Sequence, residues 1–100
     1  MKVENMLNGA GNVVANQFIM TDKGSDALGD FTVRRCFQSY TSIIAVITTW
    51  PDETRVEIDA YYWAYSYTTS KYRAIFLGET TKETQKKIAS GEYILTNLNE

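Results

Sequence analysis

The sequence predicts an α+β fold, in which an antiparallel sheet of about four strands precedes two C-terminal helices and a final segment that could add a short edge strand. Apolar and polar residues alternate with a period of two before Thr68, and apolar residues recur at helical spacing after it. The chain is 100 residues long, 44% hydrophobic and 22% charged. This composition is typical of one globular domain, which we expect to span residues 1–100.

Four runs of alternating residues predict the strands. The first run lies between two segments rich in glycine, asparagine and aspartate, and the fourth follows a turn at residues 51–53, where proline restricts φ. The predicted strands are Val13–Met20, Phe31–Cys36, Ser42–Thr49 and Arg55–Ala60, of which the second and third form a hairpin. In the fourth strand apolar residues alternate with Arg55, Glu57 and Asp59, which indicates a sheet with one exposed face.

Two helices are predicted in the second half of the chain, Thr69–Leu77 and Thr81–Ser90. A threonine at position 68 or 69 can cap the first helix. The second begins with the capping box T-T-K-E at residues 80–83, in which a threonine hydroxyl and a glutamate satisfy free backbone amides. Residues 92–96 could then return as the edge strand. The predicted core positions in the strands and helices are Ile44, Val46, Val56, Ile58, Ile75 and Phe76.

The residue types that most often perform catalysis or bind metals are scarce. The chain has no histidine, which excludes histidine-dependent triads and imidazole metal ligands. Its one cysteine, Cys36, lies in an apolar alternating strand, which favours a buried inert thiol over a nucleophile. Asp22, Asp26 and Asp30 do not have the one-three-five spacing of a calcium loop and indicate an acidic loop instead. We therefore predict a protein with no enzymatic activity, no bound metal and no cofactor.

Hydropathy predicts a cytoplasmic protein that does not contact membranes. The longest apolar run, Ile43 to Ile47, is far shorter than the roughly 18 to 20 residues that cross a bilayer. Polar residues at positions 4, 5 and 8 interrupt any apolar segment of the kind found in secretory signals. A single cysteine also agrees with a reducing compartment.

Residues 61–77 hold seven of the chain's 13 aromatic side chains. If residues 59–67 are extended, alternate side chains form a continuous aromatic strip on one side. The side chains of this strip are Tyr61, Trp63, Tyr65 and Tyr67. The strip either forms part of the core under the helices or is partly exposed. An exposed strip beside cations would suit base stacking, nucleotide binding or a protein interface, because each uses flat amphipathic side chains.

The net charge of −2 is unevenly distributed along the chain. Residues 66–91 carry +3 and the remaining residues −5, which indicates either solvated helical faces or a basic patch facing an anionic partner. Lys71 and Arg73 diverge by about 200° on the first helix, so at least one of them should be exposed. We expect that replacing both with glutamine leaves the melting temperature nearly unchanged while weakening binding to an anionic partner.

The chain contains three distinctive motifs, A-N-Q-F at 15–18, F-Q-S-Y-T-S-I-I-A at 37–45, and Y-W-A-Y-S-Y-T-T-S-K-Y-R at 62–73. These motifs resemble a family of small uncharacterised proteins encoded by phages and mobile elements of Firmicutes, and the resemblance covers about residues 12 to 98. The patterns F-x-S-Y and Y-S-x-T-T-x-K are fairly specific for that family but carry no catalytic role. The resemblance implies a phage setting, in which small accessory proteins frequently counter host defence.

The leading hypothesis is a phage-encoded binding protein that inhibits a host defence system by occupying a protein surface, for example an anti-CRISPR acting on a Cas nuclease. The alternative is a nucleic-acid or signalling-nucleotide binding protein that uses an aromatic and basic patch. Both hypotheses predict the same binding residues, which are Tyr61, Trp63, Tyr65, Tyr67, Lys71, Arg73 and Lys82.

Overall fold

The computed structural model describes residues 1–25 and 31–99 and shows one six-stranded sheet with two helices. The strands are β1 (Lys2–Leu7), β2 (Val13–Ser25), β3 (Phe31–Ser39), β4 (Ser42–Thr49), β5 (Thr54–Asp59) and β6 (Ile94–Thr96). The helices α1 (Tyr67–Leu77) and α2 (Thr81–Ser90) lie between β5 and β6 in the chain. The order of strands across the sheet is the same as their order in the sequence.

The predicted sheet of about four antiparallel strands is wrong in strand number and in strand direction. Strands β1 to β5 are antiparallel neighbours, but β6 pairs with β5 in parallel, so the sheet is mixed. The two helices form the crossover that a parallel pair requires. Strand β1 was not predicted because Met6 is its only buried residue, which leaves no alternating pattern to detect.

Strand β2 is longer than predicted. Residues 21–25, which were predicted to leave the first strand as a turn, continue its pairing with β3 as far as Ser25. Of the predicted acidic loop, Asp22 therefore belongs to β2, whereas Asp26 and Asp30 lie outside the described residues.

The two helices pack on one face of the sheet. The rings of Phe37 on β3 and Phe76 on α1 stack with centroids 5.8 Å apart, which identifies this face as the core side. The predicted core residues Ile44, Val46, Ile58 and Phe76 are buried and Val56 is half-buried, but Ile75 is 52% exposed. Ile75 lies about 100° around α1 from Phe76, so the residue that packs beneath the helix with Phe76 is Tyr72.

Local capping determines the helix bounds. Helix α2 has the predicted capping box, in which Thr80 accepts from the Glu83 amide and Glu83 accepts from the Thr80 amide. Helix α1 begins two residues earlier than predicted, because the hydroxyl of Ser66 rather than a threonine accepts from the Thr69 amide at 3.1 Å. Each helix ends at a glycine in the left-handed region, where residues with a Cβ are strained. Of the helices in the described residues, neither is long and apolar enough to cross a membrane.

Candidate functional site

The aromatic segment between β5 and α1 is a loop and not an extended strand. Residues 60–66, which we call the tyrosine loop, consist of turns and bends. The predicted one-sided strip is therefore wrong, because the chain turns directly after Asp59. The amides of Tyr61 and Tyr62 both donate to Oδ2 of Asp59, at 3.1 and 2.8 Å. Aspartate commonly ends a strand in this way by accepting from amides two and three residues further along the chain.

Asp59 also connects the tyrosine loop to the C-terminal segment. Its side chain is fully buried, and Oδ1 accepts from the amide of Leu98 at 2.8 Å. Its backbone carbonyl accepts from the amide of Trp63 at 3.2 Å. The alternating pattern predicts Asp59 on the exposed face of a strand, which is wrong and gives no sign of this role. The position of Asp59 in the sequence could have predicted this role, since an aspartate directly before an aromatic run at a strand end is typical of a turn.

Large aromatic side chains of this loop and of the first turn of α1 are open to solvent. The exposed fractions are 76% for Tyr61 and 83% for Tyr67, and the rings of Tyr62 and Tyr65 meet edge-to-face with centroids 5.4 Å apart. Helix α1 continues the exposed area through residues spaced four apart, which share one helix face. We call the combined area the tyrosine surface and define it as Tyr61, Tyr62, Tyr65, Tyr67, Lys71 and Ile75.

Two of the predicted binding residues lie beneath this surface instead of on it. Trp63 is half-buried and packs against the core, and the guanidinium of Arg73 lies 4.9 Å from the centroid of its indole ring. Arg73 is fully buried and donates to the carbonyl of Trp63 and, at 2.7 Å, to Oγ1 of Thr81. Arg73 therefore connects the tyrosine loop to α1 and to the start of α2.

The surroundings of Arg73 are unusual for a buried cation. Among residues 1–25 and 31–99, no carboxylate lies within ion-pair distance of its guanidinium. Burial lowers the pKa of Arg73, and the charge of Glu79 partly opposes that shift. Hydrogen bonds from its two terminal nitrogens and the face of the Trp63 ring replace part of the hydration that the guanidinium loses, while Nε is buried without a partner among the described residues. Lys71 and Lys82 are exposed, so they are the predicted cations that remain available to a partner.

We expect Arg73→Gln to lower the free energy of unfolding by about 2 to 3 kcal/mol, because the bonds to Trp63 and Thr81 are lost in a buried environment. Lys71→Gln should change it by less than about 0.5 kcal/mol, because Lys71 is exposed. Urea denaturation of the two single variants measures the difference. Equal stability of both variants would show that Arg73 has no structural role, which is what the sequence alone predicts for both residues.

A second cluster of polar side chains lies where the α1–α2 turn meets the segment before β6. Glu79, whose side chain is 5% exposed, accepts from Thr84 and Tyr93 at 2.6 Å and from Lys87 at 2.8 Å. Burial raises the pKa of Glu79, but the hydrogen bonds from Lys87, Thr84 and Tyr93 outweigh that effect and lower it. Burial and the neighbouring Glu79 raise the pKa of Tyr93 to about 12. The three groups that donate to this carboxylate join the α1–α2 turn to α2 and to the segment before β6, so we assign the cluster a structural role.

No other group of described residues has the arrangement of a reactive site. Burial raises the pKa of the Cys36 thiol, and this effect exceeds the opposing influence of Arg34. A protonated thiol is a poor nucleophile. Within the described ranges, no cluster of three or more cysteine, aspartate and glutamate side chains could hold a metal ion. The tyrosine surface is therefore the candidate functional site.

Comparison with known proteins gives a family but no activity. The profile of a family described as "Family of unknown function (DUF8033)" matches residues 1–92. No curated protein and no solved structure gives a significant match.

Proposed function

The chain belongs to DUF8033, a family of unknown function, and we propose that it is a small phage-encoded binding protein that inhibits a host defence system by occupying a protein surface. The specific partner that we propose is a Cas nuclease, and the place of action is the host cytoplasm. The observation that carries the binding role is the exposure of Tyr61 and Tyr67. A small domain needs its large rings for the core, so two that remain exposed at the two ends of the same short segment suggest a contact surface.

The composition of the tyrosine surface favours a protein partner. Tyrosine supplies a large apolar area and a hydroxyl with few rotatable bonds, and it is enriched among residues that dominate protein interfaces. Ile75 adds an exposed aliphatic side chain, and Lys71 adds one charge. The six residues thus combine a large apolar area with little charge, which is the usual composition of the buried middle of an interface.

A nucleic-acid or signalling-nucleotide partner is the alternative proposal, and the position of Arg73 disfavours it. Binding to phosphates depends on exposed lysine and arginine side chains. Burial of Arg73 leaves Lys71 as the one cation of the tyrosine surface, and Lys82 lies on the other helix. Stacking of bases on Tyr61 or Tyr67 would still be available to a single-stranded ligand.

The phage setting and the defence target come from the resemblance described above, which covers F-x-S-Y at residues 37–40 and Y-S-x-T-T-x-K at 65–71. The second pattern spans the end of the tyrosine loop and the first residues of α1. In it, Ser66 caps α1 while Tyr65, Tyr67 and Lys71 belong to the tyrosine surface. The pattern therefore contains both a structural residue and residues free to contact a partner.

We expect the double substitution Tyr61→Ala and Tyr67→Ala to weaken inhibition of a Cas nuclease at least about tenfold, because two exposed interface tyrosines are removed. Inhibition is measured as the concentration that halves target DNA cleavage by a panel of purified Cas nucleases. The matched control is Val13→Ala, which removes a 69% exposed apolar side chain on β2. Both variants should melt within a few degrees of the unchanged protein.

Three results would contradict the proposal. The first is that no nuclease in the panel is inhibited. The second is that the tyrosine double variant inhibits as well as the Val13 control does. The third is that the unchanged protein binds single-stranded DNA or a cyclic dinucleotide with a salt dependence that disappears in Lys71→Gln, which would favour the alternative.

A further inference from the structure

Strand β1 forms one edge of the sheet. It pairs with β2 on one side, and no strand pairs with its other side in the part of the chain that the structure describes. Such an edge presents free backbone N–H and C=O groups to any strand that can pair with them. Proteins usually protect an edge of this kind, or they use it for association.

The pairing with β2 shows which way the side chains of β1 point. Glu4 lies opposite Ile19, and Ile19 lies opposite Phe37, which stacks on α1. Directly opposed residues of antiparallel strands point to the same face, so Glu4 and, two residues away, Lys2 point to the helix side. Val3 points to the other face, where it lies opposite Met20. Val3 is 60% exposed.

The three residues Lys2, Val3 and Glu4 are complementary to a second copy of themselves. In an antiparallel pair centred on Val3, Lys2 of each copy lies directly opposite Glu4 of the other copy. The two valines lie opposite each other on the far face. An antiparallel edge pair related by a two-fold axis keeps both sets of helices on the same face, so this arrangement requires no change in either copy.

Neighbouring registers lack this complementarity. A pair centred on Glu4 places two carboxylates opposite each other, and one centred on Lys2 places two ammonium groups opposite each other, and like charges in that position are destabilising. The register centred on Val3 also extends an apolar row. On the face away from the helices, Met20 and Val3 of one copy continue into Val3 and Met20 of the other.

We propose that the protein forms a symmetric dimer in which the β1 strands of two copies pair in antiparallel fashion about a two-fold axis at Val3, joining two sheets into one of twelve strands. The dimer leaves the proposed binding site free, because the tyrosine loop follows β5, four strands away from β1. Four strand spacings place it about 19 Å from the edge. Each dimer thus presents two tyrosine surfaces.

The charge pattern allows a test by substitution and reversal. Lys2→Glu should weaken the dimer at least about tenfold in its dissociation constant, because two attractive pairs become repulsive. Glu4→Lys should weaken it similarly. The reversed variant that carries both changes should regain the original dissociation constant to within about threefold. Sedimentation velocity over a concentration series measures all four proteins. The side chains of Lys2 and Glu4 are 74% and 52% exposed, so folding should not depend on them.

A second pair of variants tests the position of the axis. Val3→Lys should abolish the dimer, because it places two ammonium groups on the axis. The matched control Leu7→Lys changes a side chain of similar exposure, 53%, that lies four residues beyond the axis and should leave the dimer intact. Circular dichroism melts confirm that each variant is folded. A protein that stays monomeric at its solubility limit, a reversed variant that remains dissociated, or assembly beyond two copies would overturn the proposal.

Discussion

Asp59→Ala is expected to lower the free energy of unfolding by about 3 to 5 kcal/mol. The substitution leaves the amides of Tyr61, Tyr62 and Leu98 without their acceptor at a position where the carboxylate is fully buried. Each such bond to a charged group contributes about 1.5 to 3 kcal/mol, and some of the freed amides will reach water after the loop relaxes. Chemical denaturation followed by circular dichroism measures the loss.

Two matched variants locate the cause of that loss. Asp59→Asn keeps one oxygen acceptor, so it should retain part of the stability that alanine removes. Asp52→Ala changes an exposed aspartate in the turn before β5 and should cost less than about 0.5 kcal/mol. The tyrosine loop of Asp59→Ala should also be cleaved faster by chymotrypsin, which cuts after tyrosine. A loss below 1 kcal/mol would mean that Asp59 does not hold the loop.

Phe76→Ala is also expected to cost about 3 to 5 kcal/mol, because it removes a ring that joins α1 to the sheet. Phe76 is 7% exposed, stacks on Phe37 and carries the guanidinium of Arg35 at 5.1 Å from its centroid. The hole would lie between a helix and a strand, and the other side chains packed between them limit how far the two elements can close it. Urea denaturation measures the change.

The adjacent residue supplies the control for this prediction. Ile75→Ala removes an aliphatic side chain that is 52% exposed, so it should cost less than about 1 kcal/mol. Both substitutions change helix propensity in α1 by a similar small amount. A difference between the two variants therefore reports burial. Equal losses would contradict the observed orientation of α1.

The capping box at Thr80 and Glu83 shows what can be predicted from neighbouring residues. Its two hydrogen bonds join residues three apart, and the predicted helix Thr81–Ser90 is confirmed with both bounds. The predicted strand Ser42–Thr49 is also confirmed. It is rich in β-branched residues and is bounded by turns, so its signal is contained within its own length. Such elements need no information about the rest of the chain.

Strand β1 and the tyrosine loop show where this kind of reasoning fails. The six residues of β1 have no apolar periodicity, and they form a strand because the edge of β2 provides hydrogen-bond partners. Residues 60–66 have the aromatic composition of a strand, but a buried carboxylate before them redirects the backbone. In both cases a contact from outside the segment overrides the local preference.

The sequence by itself determined the second helix with its cap, the presence of the first helix, several strands and the aromatic, weakly basic segment that contains the candidate site, because these features depend on residues a few positions apart. Only the tertiary structure decided that the sheet has six strands with a parallel edge, that Arg73 is buried under Trp63, and that Tyr61 and Tyr67 are exposed. Lysine, arginine and tyrosine have both apolar and polar parts, so either burial or exposure can satisfy them. Whether such a side chain is buried or exposed depends on residues in other elements. Arg73 on α1 bonds to Thr81 on α2, and Asp59, which shapes the tyrosine loop, bonds to Leu98 in the C-terminal segment.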